Sequence, residues 1–245
     1  MNSGCFTVTT GIIQPVGLEE LVFGEKLSPD KAVSKLIHIF GEAGSGKTTL
    51  ALQLTCGIGL LGKKVIFIDT EGKVTGTKIK AIAKEKTFPK INQMLKLYVP
   101  TNFQEQHSLI SSLEYFLLNQ EVGLIVIDTI TNLYRQEENF GKNRKNIYEK
   151  LAFQVALLRK ISREKKVPII LFNQATMTKV EDSEGLKSLK RERVSPVAKS
   201  IMGYWTDREI ILISHGWGSF EGRIPNEFEG RVKFGIDTKG IVTLD

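Results

Sequence analysis

Cysteine is almost missing from this chain. Of its 245 residues only Cys5 and Cys56 carry a thiol, too few for the disulfide framework of a small secreted fold. The three histidines, His38, His107 and His215, are too scattered to match a zinc-ligand spacing. No apolar run reaches the roughly 18 residues that a membrane span needs. The start, Met1-Asn2-Ser3-Gly4-Cys5, offers neither the basic segment nor the apolar segment of a secretory signal. Internal repeats and low-complexity linkers are absent too. These absences lead us to expect a reduced, cytoplasmic protein with no membrane partner, and residues 1–245 forming one domain.

Charge is present in both signs, and its placement says more than its sum. There are 34 Lys+Arg against 27 Asp+Glu, a net of +7. Residues 142–199 hold 15 basic and 6 acidic side chains, net +9, and residues 63–96 hold 9 and 3, net +6, so the rest of the chain carries −8. Such segregation is more informative than the total, which by itself fits either a polyanionic partner or an ordinary solvated surface. The 63–96 tract coincides with no motif and reads as a solvated face.

Short apolar runs alternate with amphipathic stretches. The strand-like runs are Leu36–Phe40, Val65–Asp69, Leu95–Val99, Leu124–Asp128, Val167–Asn173, Glu209–Ser214, Arg231–Ile236 and Ile241–Leu244. Several middle ones are continuously apolar, as strands buried on both faces of a parallel sheet are. Helical patterns cover 48–61, 105–119 and 146–166; in the last, Ile147, Leu151, Val155, Leu158 and Ile161 mark one face. The expected fold class is therefore α/β, a largely parallel central sheet flanked by helices, with the last two runs forming a C-terminal antiparallel hairpin. Residues 176–199 are polar, charged and without clear period, which in a compact chain points to a functional or irregular segment.

Gly41-Glu42-Ala43-Gly44-Ser45-Gly46-Lys47-Thr48 fits the G-x-x-x-x-G-K-[ST] phosphate loop, between an apolar run and the helical Thr49–Leu61. Glycines let backbone N–H groups turn toward phosphate oxygens, and the helix that follows points its positive end at the same anion. Gly41 to Thr49 are thus the candidate nucleotide-binding residues, Lys47 serving the β- and γ-phosphates and Thr48 ligating Mg²⁺. Asp128, ending an apolar run, is either the second Mg²⁺ anchor or the N-cap of a helix. Glu71 is either a general base for water or a solvated turn residue, and Gln174 either a γ-phosphate sensor or a satisfied turn amide. His38, within an apolar run, is a core histidine.

The succession of the phosphate loop, Phe67-Ile68-Asp69-Thr70-Glu71-Gly72, Leu124-Ile125-Val126-Ile127-Asp128-Thr129, Leu133-Tyr134-Arg135 and Asn173-Gln174 resembles the RecA-family recombinase ATPases. The resemblance implies a RecA-like P-loop ATPase core, with Glu71 as general base, Asp128 beside Mg²⁺, and ATP and Mg²⁺ as cofactors. It implies weak hydrolysis and an accessory role in homologous recombination and DNA repair. It also places two DNA-binding loops near 136–146 and 175–199. Lys142, Arg144 and Lys145 fall by the first, and Lys187, Lys190, Arg191 and Arg193 in the second. A basic loop can track the backbone of single-stranded DNA, the expected partner. By contrast, Arg159, Lys160, Lys165 and Lys166 fit a solvated helix face.

The chain also departs from the family pattern. The resemblance implies a core without the extra N-terminal DNA-binding domain of full recombinases. The Phe-Arg-Pro-Glu-Arg pattern that follows the general base in the family is missing after Glu71-Gly72, leaving Lys78 as the nearest basic candidate beside adenine. The missing domain motivates a second reading: an ATP-gated adaptor whose partner is the main recombinase or a nuclease, with oligomers permitted. A small-molecule kinase is disfavoured, because the loop after Gln174 is open and mixed in charge.

Overall fold

The computed structural model describes residues 17–24, 34–118, 120–140, 143–179, 192–225, 227 and 230–244. Along the chain run α1 (Leu18–Phe23), β1 (Leu36–Gly41), α2 (Lys47–Leu60), β2 (Lys64–Asp69), α3 (Gly76–Ala83), α4 (Phe88–Met94), β3 (Leu95–Tyr98), α5 (Phe103–Ser111), α6 (Leu113–Phe116) and β4 (Val122–Asp128). There follow α7 (Asn132–Phe140), α8 (Arg144–Lys165), β5 (Ile169–Lys179), β6 (Glu192–Pro196), α9 (Lys199–Trp205), β7 (Arg208–Gly216), β8 (Ser219–Arg223), β9 (Arg231–Asp237) and β10 (Gly240–Val242).

The main sheet has the order β10-β9-β8-β7-β1-β5-β4-β2-β3. From β7 to β3 every pairing is parallel, and from β7 to β10 the strands form an antiparallel meander. The apolar runs of β1, β4 and β5 are buried because helices cover both faces. On one face Ile37, Ile39, Phe67, Val126, Ile170 and Phe172 pack with α1 to α4. On the other, Ile66, Ile68, Ile125, Ile127, Ile169 and Leu171 pack with α5 to α9. The alternation of neighbours along each strand between these two cores is the period-two geometry of an extended chain.

Several boundaries differ from the sequence reading, for local reasons. The helix expected over 105–119 begins at the Asn102 cap and breaks at Ser112. There Ser111 and Ser112 both donate their hydroxyls to the carbonyls four residues back, a contact that bends helices. The strand expected over 167–173 starts at Ile169, since Val167 N–H is spent on Ser162 at the end of α8. It then runs on to Lys179, because β6 pairs with it antiparallel from Ala175 to Lys179. The 63–96 tract contains α3 and α4. The expected C-terminal hairpin is β9–β10, extended by β8 into the meander.

A polar chain crosses the middle of this sheet. His38 on β1 is completely buried. Its Nδ1 lies 2.9 Å from Glu209 Oε1 on β7, and its Nε2 3.1 Å from Asn173 Nδ2 on β5. The Asn173 amide also donates to the Val197 carbonyl at 2.8 Å, and its oxygen accepts from the Thr131 hydroxyl. With both amide protons so used, Nε2 must be the acceptor, and His38 is neutral with its proton on Nδ1 toward Glu209. Burial lowers the His38 pKa from 6.5, opposed by Glu209. Unfolded imidazole takes up a proton near 6.5 while the folded one does not, so the unfolded state binds more protons below that pH. Stability contributed by this site is therefore present above about pH 6.5 and erodes as pH falls. Urea midpoints measured from about pH 7 to about pH 5 should fall in the wild type and fall less in His38→Gln; equal slopes would exclude His38 as the titrating group.

Candidate nucleotide and nucleic-acid site

The parallel strands β1, β2, β4 and β5 all end at one edge of the sheet, where ligands bind in open α/β folds. Gly41 ends β1 and opens the phosphate loop, and α2 begins at Lys47 behind Gly46 in the left-handed conformation (φ 87°). A Cβ at Gly41 would meet the Ser45 hydroxyl at 2.5 Å, and one at Gly46 would collide with Ile236. Glycine is thus required sterically at both positions. Lys47 Nζ curls back into the loop and donates to the carbonyls of Gly41 at 2.9 Å and Glu42 at 2.5 Å. Burial lowers its pKa, and the carboxylates of Asp128 and Glu71 oppose the shift.

Asp128 ends β4 directly opposite Asp69 at the end of β2, and the two carboxylates have different surroundings. Both Asp69 oxygens accept backbone N–H groups, Oδ1 from Glu71 at 3.1 Å and Oδ2 from Val74 at 2.7 Å. Asp69 thereby folds the turn that carries Glu71. Asp128 Oδ2 accepts from the Thr48 hydroxyl at 2.7 Å, whereas Oδ1 is buried with no hydrogen-bond partner. Burial pushes the Asp128 pKa up to about 6, against the hydrogen bond from Thr48. Its effect on stability is opposite in sign to that of His38, since the folded carboxylate takes its proton before the unfolded one does. An orphaned carboxylate oxygen beside a threonine hydroxyl fits a hard divalent cation, which takes oxygen ligands and shares them with phosphate. Among the described residues no three His, Cys, Asp or Glu side chains form a metal-ligand group of their own.

Glu71 and Gln174 meet across the cleft. Gln174 Nε2 donates to Glu71 Oε1 at 3.0 Å, and Gln174 Oε1 accepts from Arg135 Nη1 on α7 at 2.8 Å. Thr70 locks the strand ends beneath them: its hydroxyl donates to the Thr129 carbonyl at 2.8 Å and accepts from the Thr129 N–H at 3.0 Å. Asn132 Nδ2 ties α7 to the Thr70 carbonyl at 2.7 Å. The cleft of about 270 Å³ is lined by Gly44, Lys47, Thr48, Glu71, Asp128 and Gln174 together with Ala43, Gly46, Thr49, Lys73, Thr129, Phe220 and Ile236. Sequence reasoning missed Lys73, Phe220 and Ile236; the two apolar residues come from β8 and β9, and no motif marks them. Asp69 was visible in the Asp-Thr-Glu-Gly stretch, yet its role as the turn's acceptor follows only from the geometry. Gly41, Glu42 and Ser45 form the loop itself. Lys78 sits on α3, outside the cleft lining, and donates to the Lys73 carbonyl.

The basic candidates are distributed unevenly. Arg144 and Lys145 stand exposed at the start of α8, with Glu149 3.8 Å from Lys145. Arg193 lies on β6, paired with Thr178 of β5. Lys142, Lys187, Lys190 and Arg191 fall outside the described residues. On α8, Arg159 and Arg163 both reach Asp207, and Lys160 reaches Glu114. Lys160 is exposed on the helix face, as the sequence suggested, whereas Arg159 is half-buried and ties α8 to Asp207, contrary to the solvated face expected for it.

A phosphate loop at the tip of β1, in a sheet of this order with its antiparallel meander, defines a RecA-like core. The Rad51 family matches residues 20–241, and the chain belongs to that family. Within it the chain is similar to the DNA repair and recombination protein RadB of Methanobrevibacter smithii, 33% identical over 71% of this chain and 71% of the relative. The protein of the same name from Thermococcus onnurineus is 34% identical over 76% of this chain and 74% of its own length. A crystal structure of the RadB recombinase superposes with a TM-score of 0.70 at 28% identity, covering 97% of this chain and 99% of that one.

The two hydrogen bonds to Asp69 yield a stability prediction. Asp69→Ala removes a charged acceptor from two N–H groups, one of them buried. It should cost at least about 1.5 kcal/mol, read as a lowered urea midpoint with an unchanged slope. A midpoint matching the wild type would show that the turn holds without Asp69.

Proposed function

We propose that this protein binds ATP with Mg²⁺ and DNA, hydrolyses ATP slowly, and serves as an accessory factor in recombination and repair. The observation that carries this reading is the Glu71–Gln174–Arg135 hydrogen-bond line across the cleft. It joins a candidate base to β5, the strand that pairs with β6 and leads into the charged 175–199 segment of the sequence. The similarity to RadB DNA repair and recombination proteins supports the recombination context.

In this mechanism Lys47 leaves the loop carbonyls for the β- and γ-phosphate oxygens, as lysines of such loops do. Thr48 and Asp128 would hold Mg²⁺, which supplies charge neutralisation at the phosphate oxygens when bound. Glu71 accepts a proton from water as the water oxygen bonds to the γ-phosphorus and the bridging P–O bond breaks, leaving ADP and phosphate. Gln174 exchanges its bond to Glu71 for a γ-phosphate oxygen. The cleft is smaller than the roughly 300–1,000 Å³ that encloses a whole ligand, so it suits the phosphate tail. The basic side chains of the 136–146 and 175–199 segments would neutralise DNA phosphates, each adding to the salt dependence.

Lys47→Ala should abolish binding of a fluorescent ATP analogue, and Glu71→Gln should keep binding while lowering turnover by at least about 100-fold. Anisotropy of labelled single-stranded DNA should show ATP- and Mg²⁺-dependent binding that weakens steeply with salt. Salt-independent or absent DNA binding, with a partner protein still captured in an ATP-dependent manner after nuclease treatment, would replace this reading with the adaptor.

A further inference from the structure

Glu71 is held by a second group that the mechanism above does not use. Its Oε2 forms an ion pair with Lys73 Nζ, while Oε1 accepts from Gln174. The Glu71 side chain is only 10% exposed, but that of Lys73 is 61% exposed. The backbone beneath is fixed at both ends of the turn: Val74 N–H is bound by Asp69, and the Lys73 carbonyl accepts from Lys78 Nζ at 2.7 Å. The Lys73 side chain itself extends into solvent. The other cations nearby are otherwise engaged, Lys47 with loop carbonyls and Arg135 with Gln174.

A general base acts through a carboxylate oxygen aimed at water within hydrogen-bond reach. Here both oxygens are already engaged, Oε1 by Gln174 and Oε2 by Lys73, so neither is open to a water. The partnership also raises the Lys73 pKa, chiefly through the hydrogen bond to Glu71, so the lysine stays charged at neutral pH. A pair with one arm in solvent is weak and screened by salt, which makes it releasable.

We propose that Lys73 is a positioning residue that restrains Glu71 in cis, an ion pair that holds the base away from water and keeps basal hydrolysis low. The proposal rests on Glu71 being the base, the reading given above. Removing the ammonium frees one carboxylate oxygen without touching the phosphate loop, the Asp128–Thr48 pair or the Gln174 contact.

The test is steady-state ATPase at saturating ATP and Mg²⁺ for wild type, Lys73→Met and Lys73→Arg. Lys73→Met should raise kcat about threefold to fivefold at low salt with KM for ATP within about twofold, the range an exposed pair supplies. Raising salt from about 0.03 M to about 0.3 M should lift the wild-type rate toward that of Lys73→Met. Lys73→Arg should retain this salt dependence and Lys73→Met should lose it, a difference that a merely structural lysine would not produce. An unchanged or slower Lys73→Met enzyme overturns the proposal, the slower case identifying Lys73 as a phosphate-binding cation instead. A gain that persists in Glu71→Gln/Lys73→Met also overturns it, since the effect must pass through Glu71. Binding of a fluorescent ATP analogue to wild type separates the failures. No binding defeats the nucleotide-site reading and this inference with it, whereas binding without acceleration defeats this inference alone.

Discussion

One buried amide organises the sheet edge on which everything else depends. Asn173 has no solvent exposure, yet each of its polar atoms has a partner: His38 on β1, the Val197 carbonyl after β6, and the Thr131 hydroxyl beyond β4. An unpaired amide at this depth would cost several kcal/mol, so the three partners are constrained together. That constraint fixes the tip of β5 between β1 and β4, in the register that sets Gly41 beside Gln174. It also ties down Val197, directly after β6. A fully satisfied buried network of this kind specifies one arrangement more sharply than apolar packing does.

Much of this was legible in the sequence because the controlling patterns are local. The continuous apolar runs give β1, β2, β4 and β5, and the glycine spacing gives the phosphate loop with α2 behind it. Asp128, Glu71 and Gln174 follow as the polar residues at the ends of those runs. What remained hidden depends on partners distant in sequence. β5 extends to Lys179 only because β6 pairs with it, and residues 175–179 alone show no strand pattern that outweighs their polarity. Phe220 and Ile236 reach the cleft only because the meander folds the C-terminal strands beside α2. Lys73 looked like one more member of a basic surface tract, and only its distance from Glu71 separates it from Lys80 or Lys90.

The same dependence on partners resolves the charge surplus. The basic excess of residues 142–199 mixes two kinds of side chain. Arg159, Lys160 and Arg163 on α8 are matched by Asp207 and Glu114. The Lys160–Glu114 pair is accessible and contributes little to stability, whereas Arg159 and Asp207 are half-buried; all three cations are removed from any count available to a polyanion. Arg144 and Lys145, by contrast, sit at the exposed start of α8, close in sequence to α7, whose Arg135 holds Gln174. Exposure on the first turn of α8, rather than the size of the excess, distinguishes the second group.

The pair of aspartates at the ends of β2 and β4 shows how one residue type divides between structure and chemistry. Asp69 and Asp128 are register partners and both are buried. Asp69 resolves its charge internally, through two backbone N–H groups of the turn it folds, and stabilises the loop that bears Glu71. Asp128 keeps one oxygen without a donor and has its pKa pushed up to about 6. A fold selected for stability alone would supply that oxygen with a donor or replace the residue, since an unsatisfied buried carboxylate opposes folding. The liability makes sense where a cation and phosphate complete the shell, and it places the electrostatic demand at the phosphate loop rather than in the core. The same logic separates Gln174 from Asn173. Asn173 is saturated and buried, while its neighbour Gln174 bridges Glu71 and Arg135 at the cleft. Adjacent amides on one strand thus differ in kind, one closing a buried network and the other lining the cleft.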